Sequence, residues 1–173
     1  MTSAPHGSDE PSPWVARFAP LVPAGGAVLD VAAGAGRHTY MFLARGHPVV
    51  AVDRDTSRLI PQPTLTIMNA DLESGPWPLG TRRFAGVVVT NYLHRPLFPA
   101  IAGAVADGGA LIYETFAQGN ERFGKPSNPD FLLRPGELLE LARAAGLRVL
   151  AYEDLTVETP RPACVQRIAA TRT

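Results

Sequence analysis

Short apolar runs alternate with segments of helical period along this 173-residue chain. Apolar runs of strand length predict buried strands, and strands that alternate with helices are typical of a parallel sheet covered on both faces. The last two runs are joined by a proline-containing turn and predict an antiparallel pair at one sheet edge. We therefore expect an α/β fold with a mostly parallel seven-stranded sheet and an antiparallel C-terminal edge strand. The predicted strands cover 27–31, 48–53, 65–70, 84–91, 110–116, 147–155 and 164–171.

Capping residues indicate where helices begin and end. Ser12 followed by Pro13 is typical of a helix start, because serine accepts hydrogen bonds from free amides and proline suits the first turn. Gly46 follows the next helical segment and suits a left-handed C-cap. The other predicted helices cover 38–45, 96–105 with 107–109 as its terminator, and the segment that opens at Pro135.

The segments 71–82 and 117–133 lack a regular pattern. Residues 71–82 are rich in glycine and proline and predict a loop. Residues 117–133 have the composition of a surface loop, but Glu114 and Thr115 lead into them from the pocket end of the fifth strand. Because loops of this length are often lids or binding loops, we interpret 117–133 as a substrate lid. We expect one domain over 1–173, with 1–11 as a disordered tail.

The composition is that of a globular protein, with 46% hydrophobic and 18% charged residues. The formal net charge is zero and no Lys/Arg run occurs, which argues against binding to nucleic acid or anionic membranes. No apolar run is long enough to span a bilayer, and the N-terminus shows neither a signal nor an anchor. The single cysteine, Cys164, excludes an internal disulfide framework and suits the reducing cytoplasm. Without HxxxH or CxxC spacings, we expect no metal site.

A loop of small residues follows the first strand, in the sequence VLDVAAGAGR at 28–37. In an open parallel sheet, ligands bind beyond the carboxyl ends of the strands, beside the first strand. Gly34 and Gly36 lack a Cβ and let the backbone approach a ligand, and the next helix offers free amides to an anionic group. Asp53, 17 residues beyond Gly36, is placed to accept hydrogen bonds from both hydroxyls of a ribose. These features predict a site for an adenosine-containing cofactor.

Two details discriminate between cofactors of this kind. A dinucleotide fingerprint that begins at Gly34 needs a third glycine where the chain has Thr39, and one that begins at Ala32 fails at its first position. Asp30 stands at the mouth of the loop, where a carboxylate would repel a pyrophosphate and attract an ammonium or sulfonium group. The loop therefore favours S-adenosylmethionine, and an NAD(P)-binding oxidoreductase is the less favoured alternative.

Five motifs in order, VLDVAAGAGR, AVDRD, NADLE, VVVTNYLHR and GGALIYETF, resemble those of class I S-adenosylmethionine-dependent methyltransferases. The likeness is to small bacterial members of the tellurite-resistance-like kind, over residues 12–171, and implies a three-layer Rossmann-like methyltransferase fold. By position, it implies that Asp30 and the backbone of Ala32, Gly34 and Gly36 hold the methionine moiety, with Arg37 near its carboxylate. It also implies that Asp53 binds the ribose, that Arg54, Asp71 and Leu72 surround the adenine, and that Asn91 lies near the reacting methyl group.

The sequence departs from the family pattern in three places. Ala32 and Ala33 replace the more usual Gly-Cys pair, which narrows the loop. Phe84 and Ala85 replace a common Phe-Asp pair before the fourth strand. The connection between the third and fourth strands lacks a clear helix.

The reaction that these features predict is methyl transfer to a small molecule. An enzyme must align the acceptor with the methyl group and exclude water, and it needs a base only if the acceptor carries a proton. The turn at 91–94 lacks the Pro-Pro-aromatic pattern of base-amine methylation, and Cys164 is not near it as pyrimidine methylation would require. Tyr92, His94 and Glu114 are candidates for positioning or proton transfer, although His94 could instead cap the following helix. A non-catalytic binding module of the same fold is the second hypothesis, and the oligomeric state stays open.

Overall fold

The seven predicted strands form one continuous sheet in a computed structural model that describes residues 9–173. The strands are β1 (Val28–Val31), β2 (Val49–Asp53), β3 (Leu65–Asn69), β4 (Phe84–Thr90), β5 (Val105–Phe116), β6 (Arg148–Val157) and β7 (Ala163–Thr171). Their order is β3-β2-β1-β4-β5-β7-β6, with β1 to β5 parallel and β7 antiparallel between β5 and β6. The predicted fold class is confirmed, and within the antiparallel pair β6 is the outermost strand.

Helices cover both faces of this sheet. They are α1 (Pro13–Phe18), α2 (Arg37–Ala44), α3 (Phe98–Gly103) and α4 (Glu137–Ala144). Val28 and Leu29 point to opposite faces of β1, where Val28 joins a buried cluster with Phe42 and Leu29 joins another with Leu138. Strands buried on both faces explain the continuous apolar runs in the sequence. Within residues 9–173, no helix combines the length and the apolar character that crossing a membrane requires.

The predicted helix caps are confirmed. The hydroxyl oxygen of Ser12 accepts hydrogen bonds from the amides of Trp14 and Val15, at 3.2 and 3.4 Å, and so caps α1. Gly46, with a φ of 87°, lies just beyond α2 in the left-handed conformation expected of a C-cap.

The predicted helix terminator at 107–109 is wrong. β5 already begins at Val105, so these residues belong to the strand. Val105 and Ala110 both pair with β4, and residues 106–109 between them form a bulge that interrupts this pairing. Glycine permits this bulge, because Gly108 has a φ of 75° and a Cβ on Gly109 would lie 2.8 Å from a backbone oxygen.

The two segments without regular pattern differ in how they are held. Residues 71–82 contain no helix, as predicted. The segment 117–133 is closed at its base, where the Gln118 amide donates to the Leu133 carbonyl at 2.9 Å. Within it, the buried side chain of Asn120 accepts a hydrogen bond from the Cys164 amide at 3.2 Å, which ties the segment to β7. Residues 1–8, most of the predicted tail, lie outside the described residues.

Candidate functional site

The loop after β1 has a tightly turned backbone. Ala32, Gly34 and Gly36 have φ values of 55°, 57° and 86°, in the left-handed region that disfavours a residue with a Cβ such as Ala32. A Cβ on Gly36 would lie 2.7 Å from a methyl group of Leu59, so a side chain there would also force its neighbours to shift. A Cβ on Gly34 would have only the Arg58 guanidinium within reach, at 4.0 Å. The space above Gly34 is therefore open to a ligand.

Asp53 fastens this loop to the end of β2. The Gly34 amide donates to Asp53 Oδ2 at 2.8 Å, and the Asp55 amide donates to Oδ1 at 2.9 Å. The Ala33 amide adds a hydrogen bond to the Val52 carbonyl at 3.0 Å. Because each carboxylate oxygen can accept more than one hydrogen bond, Asp53 retains capacity for ligand hydroxyls.

Asp30 lies beneath the loop, with 2% of its surface exposed. Thr39 donates to its carboxylate through both the hydroxyl, at 2.7 Å, and the backbone amide. Gly36, at the N-cap of α2, has no side chain for this role, so Asp30 supplies the cap from β1. Burial raises the pKa of Asp30 to about 6, although the Thr39 hydrogen bonds and the charge of Arg37 oppose the rise. At neutral pH, a buried negative charge thus lies under the loop.

A run of polar contacts joins α1 and α2 to the ends of β4 and β5. Burial lowers the pKa of His38 to about 3, so its ring is neutral. The Ser12 amide donates to His38 Nε2 at 2.9 Å, which leaves the proton on Nδ1, 3.5 Å from Thr90 Oγ1. The Ser12 hydroxyl donates to Glu114 Oε1 at 2.7 Å. These contacts fix Glu114 relative to the loop.

A cavity of about 400 Å³ opens beside this network. Phe116, Leu155 and Val165 give it an apolar wall, and Arg37, Asn91 and Glu114 lie at its polar side. The turn between β6 and β7 also lines it. Residues 117–133 contribute nothing to the lining, so their role as a substrate lid stays a prediction.

Arg167 on β7 is a cavity residue that the sequence did not reveal. Its guanidinium lies 3.3 Å from Glu114 and 2.6 Å from Glu153, and it stacks 4.9 Å from the centre of a Trp14 ring. Strand alternation predicts only that the side chain of Arg167 points to the face opposite those of Gln166 and Ile168. Its partners lie on β5, β6 and α1, far away in the sequence. Arg167 therefore completes the positioning of Glu114 from the antiparallel side of the sheet.

The end of β4 separates the three candidate catalytic residues. Asn91 has a φ of 53° and lines the cavity, as Glu114 does. Tyr92 instead packs against the buried cluster that contains Leu72, and its Oη is buried without a hydrogen-bond partner among the described residues. His94 Nδ1 lies 3.5 Å from a Glu73 carboxylate oxygen, and its side chain makes no helix-capping bond. The structure thus brings Glu114 and Asn91 together and places Tyr92 and His94 outside the cavity lining.

The other predicted binding residues lie at the ends of β2 and β3. The Asp71 carboxylate accepts hydrogen bonds from the Glu73 amide, at 3.0 Å, and from the Ser74 hydroxyl, at 2.8 Å, which lower the pKa of Asp71. The Leu72 side chain is buried beneath this turn. The Arg54 carbonyl accepts a hydrogen bond from a side-chain amide of β3 at 3.3 Å. In the part of the chain that the structure describes, no group of His, Cys, Asp and Glu side chains is placed to hold a metal ion.

Comparisons with known proteins identify the fold. No family model and no curated protein matches the chain. A 1,6-didemethyltoxoflavin-N1-methyltransferase from Burkholderia thailandensis, solved with 1,6-didemethyltoxoflavin and S-adenosylhomocysteine, aligns with a TM-score of 0.67 and 21% identity over 93% of this chain and 77% of that one. TehB from Haemophilus influenzae aligns at 0.69 and 15% identity, over 90% of this chain and 60% of its own. An S-adenosylmethionine-dependent methyltransferase from Mesorhizobium loti aligns at 0.71 and 16% identity, over 96% and 99%. The chain therefore has the Rossmann-like fold of these methyltransferases.

Proposed function

We propose that this protein transfers a methyl group from S-adenosylmethionine to a small-molecule acceptor. The observation that carries the proposal is the open loop over a buried Asp30, held by Asp53 at the carboxyl ends of β1 and β2. A buried anion at this place suits a cofactor with a cationic amino acid, and an acid with free acceptor capacity suits a ribose. The Burkholderia thailandensis enzyme of this fold binds S-adenosylhomocysteine, the demethylated form of that cofactor.

The residues present fit such a cofactor. The space above Gly34 admits a ligand, and the Asp53 carboxylate can accept further hydrogen bonds there. Thr39, where a dinucleotide site has glycine, is buried and committed to Asp30. We assign the methionine half to Asp30, Ala32, Gly34, Gly36 and Arg37, the adenosine half to Asp53, Arg54, Asp71 and Leu72, and the vicinity of the methyl group to Asn91.

The cofactor, when bound, supplies an electrophilic methyl group on a sulfonium centre. The protein's own part is to hold the acceptor in line and to exclude water. Asn91 and Glu114 line the cavity together with Arg37, the last residue of the loop sequence at 28–37. The Glu114 carboxylate accepts the proton that an N–H or O–H acceptor loses, and hydrogen bonds from Ser12 and Arg167 fix its two oxygens. Glu114 is therefore our candidate for proton transfer.

The cavity indicates a small acceptor. Its volume of about 400 Å³ is of the size that small molecules occupy in proteins, and it combines an apolar wall with a few charged groups. The net charge of zero gives no basis for holding a nucleic acid. The Burkholderia thailandensis enzyme of this fold was solved with a small molecule, 1,6-didemethyltoxoflavin. The buried free thiol of Cys164 is compatible with the cytoplasm as the place of action.

Ligand-dependent thermal unfolding tests the cofactor. S-adenosylmethionine or S-adenosylhomocysteine at about 100 times its Kd should stabilise the protein by about 2.7 kcal/mol and raise Tm by several degrees. Asp53→Ala should remove this shift, whereas Asp55→Ala, a change at an exposed acid two positions on, should keep it. A shift with NAD⁺ and none with S-adenosylmethionine would instead identify an oxidoreductase.

Turnover is tested separately, by release of S-adenosylhomocysteine across a panel of small amines, phenols, heteroaromatics and thiols. We expect turnover with at least one class and its loss in Glu114→Gln. Cofactor binding without turnover on any class would support the non-catalytic binding module.

A further inference from the structure

Tyr92 carries a buried polar atom that the proposed reaction does not use. Its Oη is shielded from water. Among the side-chain nitrogen and oxygen atoms of residues 9–173, it is the one that is buried and has no hydrogen-bond partner. Buried hydroxyl groups in folded proteins almost always have a partner, because an unpaired one destabilises the fold. The position of Tyr92 therefore calls for a partner that binds to the protein.

The backbone around Tyr92 is held firmly. The buried Tyr113 hydroxyl donates to the Tyr92 carbonyl at 2.7 Å, and the Asn91 amide donates to the Glu114 carbonyl at 3.0 Å. The left-handed conformation of Asn91 turns the chain between these two contacts. As a result, Asn91 lines the acceptor cavity, and the Tyr92 ring packs against the cluster that contains Leu72, a residue of the turn after β3.

The charges around the phenol belong to the ends of β2 and β3. Burial, followed by the negative charges of Glu73 and Asp71, raises the pKa of Tyr92, so the hydroxyl keeps its proton and can donate. Arg54 and Asp53 also act on it. Asp53, Arg54 and Asp71 are residues to which we assign the adenosine half of the cofactor, and neither they nor Glu73 line the acceptor cavity.

We propose that Tyr92 is a binding residue for the nucleoside part of the cofactor, whose Oη donates a hydrogen bond to an acceptor atom of the bound adenosine. This inference rests on the proposed function and gives Tyr92 a role different from proton transfer. Because Oη is shielded from water in this structure, the hydrogen bond requires a neighbouring segment to move when a nucleoside enters. Besides burial, the charges of Glu73 and Asp71 raise the pKa of Tyr92, and these two residues and Ser74 are exposed and hydrogen-bonded to one another within their own turn.

The test compares Tyr92→Phe with Tyr152→Phe, a matched control on β6 whose hydroxyl donates to Gln166 at 3.0 Å. Unfolding without ligand and calorimetric Kd values for S-adenosylhomocysteine and for adenosine are measured for each protein. We expect Tyr92→Phe to keep or raise the Tm measured without ligand. The Kd values for both ligands should rise by the same factor, about tenfold. Tyr152→Phe should lower the Tm and leave both Kd values unchanged.

Three results would overturn the inference. A lower ligand-free Tm in Tyr92→Phe would show that Oη has a partner within the protein. Unchanged Kd values would show that the hydroxyl does not touch the ligand. A loss for S-adenosylhomocysteine alone would place the contact on the amino-acid half. If the wild-type protein binds neither ligand, the proposed function itself fails. If the wild-type protein binds both ligands and Tyr92→Phe binds them equally well, only the inference about Tyr92 fails.

Discussion

Asp30 has two opposite effects on stability: its hydrogen bonds cap α2, and the burial of its charge destabilises the folded protein. It caps α2 through Thr39, yet its carboxylate is almost fully removed from water. Its pKa in the folded protein, about 6, lies above the ordinary value of 3.8, so the folded state favours the protonated carboxyl. The stabilisation that protonation gives is present below about pH 4 and is lost as the pH rises through about 6.

Asp30→Asn should make this pH dependence visible, because the amide keeps an acceptor for Thr39 and removes the charge. Between about pH 4 and about pH 7, the free energy of unfolding of the variant should rise by about 2 kcal/mol relative to the wild type, as a pKa of about 6 in place of 3.8 implies over this range. Urea unfolding across this range measures the difference. Asp107→Asn, at an exposed acid, should give a flat difference, and a flat difference for Asp30→Asn would contradict the burial of its charge.

The same substitution should act in the opposite direction on cofactor binding. A bound sulfonium and ammonium favour the ionised carboxylate, so their affinity depends on the charge that Asp30→Asn removes. We expect S-adenosylmethionine to bind about tenfold more weakly to the variant at neutral pH, and to bind the wild type more weakly below about pH 6. Isothermal titration calorimetry over the same pH range tests both statements, and equal affinities in the two proteins would exclude a role for this charge.

At the scale of elements, Ser12 at the start of α1 both caps the helix and contacts a residue of the candidate site. The cap could be predicted from Ser12 and Pro13 alone, because capping depends on neighbouring residues. The hydrogen bond from Ser12 to Glu114 spans 102 positions and depends on the order of strands in the sheet. The cap could therefore be predicted from the sequence, and the contact of Ser12 with Glu114 could not.

Ser12→Ala should affect stability and catalysis separately. Loss of the cap should lower the free energy of unfolding by about 1 kcal/mol. Loss of the hydroxyl should also lower kcat, because the Glu114 carboxylate loses the hydrogen bond that fixes one of its oxygens. Asn128→Ala removes the cap of a short helical turn at 129–131 and should lower stability without lowering kcat. Equal kcat values for both variants would mean that Ser12 acts only on the fold.

Conformations that only tertiary packing imposes were beyond sequence analysis. The bulge at 106–109 resembles a helix terminator in sequence, because glycine suits both. The left-handed Asn91, a residue with a Cβ, sends Tyr92 away from the cavity and divides the three catalytic candidates. Acids at strand ends were placed correctly because parallel strands bring their carboxyl ends to one edge.

At the scale of the molecule, the two halves of the sheet serve different parts of the proposed reaction. The parallel strands β1 to β3 carry the loop, Asp30 and Asp53, whereas the antiparallel pair β6 and β7 forms the far wall of the cavity. The sequence predicts 117–133 as a substrate lid, which stays a prediction, and it does not indicate that insertion of β7 next to β5 brings the β6–β7 turn to the cavity. That insertion follows from strand pairing across the whole chain, which the periodicity of single segments does not specify.

This division predicts that acceptor binding can be blocked without loss of the cofactor. Leu155 on β6 lines the cavity and is 37% exposed, so Leu155→Trp can fill the cavity from its rim without disturbing the buried core. With an acceptor found in the panel, kcat/KM should fall about tenfold or more, while calorimetry should give an unchanged Kd for S-adenosylhomocysteine. Leu150→Trp, on the same strand at 45% exposure and outside the cavity lining, should change neither quantity. Equal kcat/KM values for the two variants would mean that the acceptor binds elsewhere than against the β6–β7 wall.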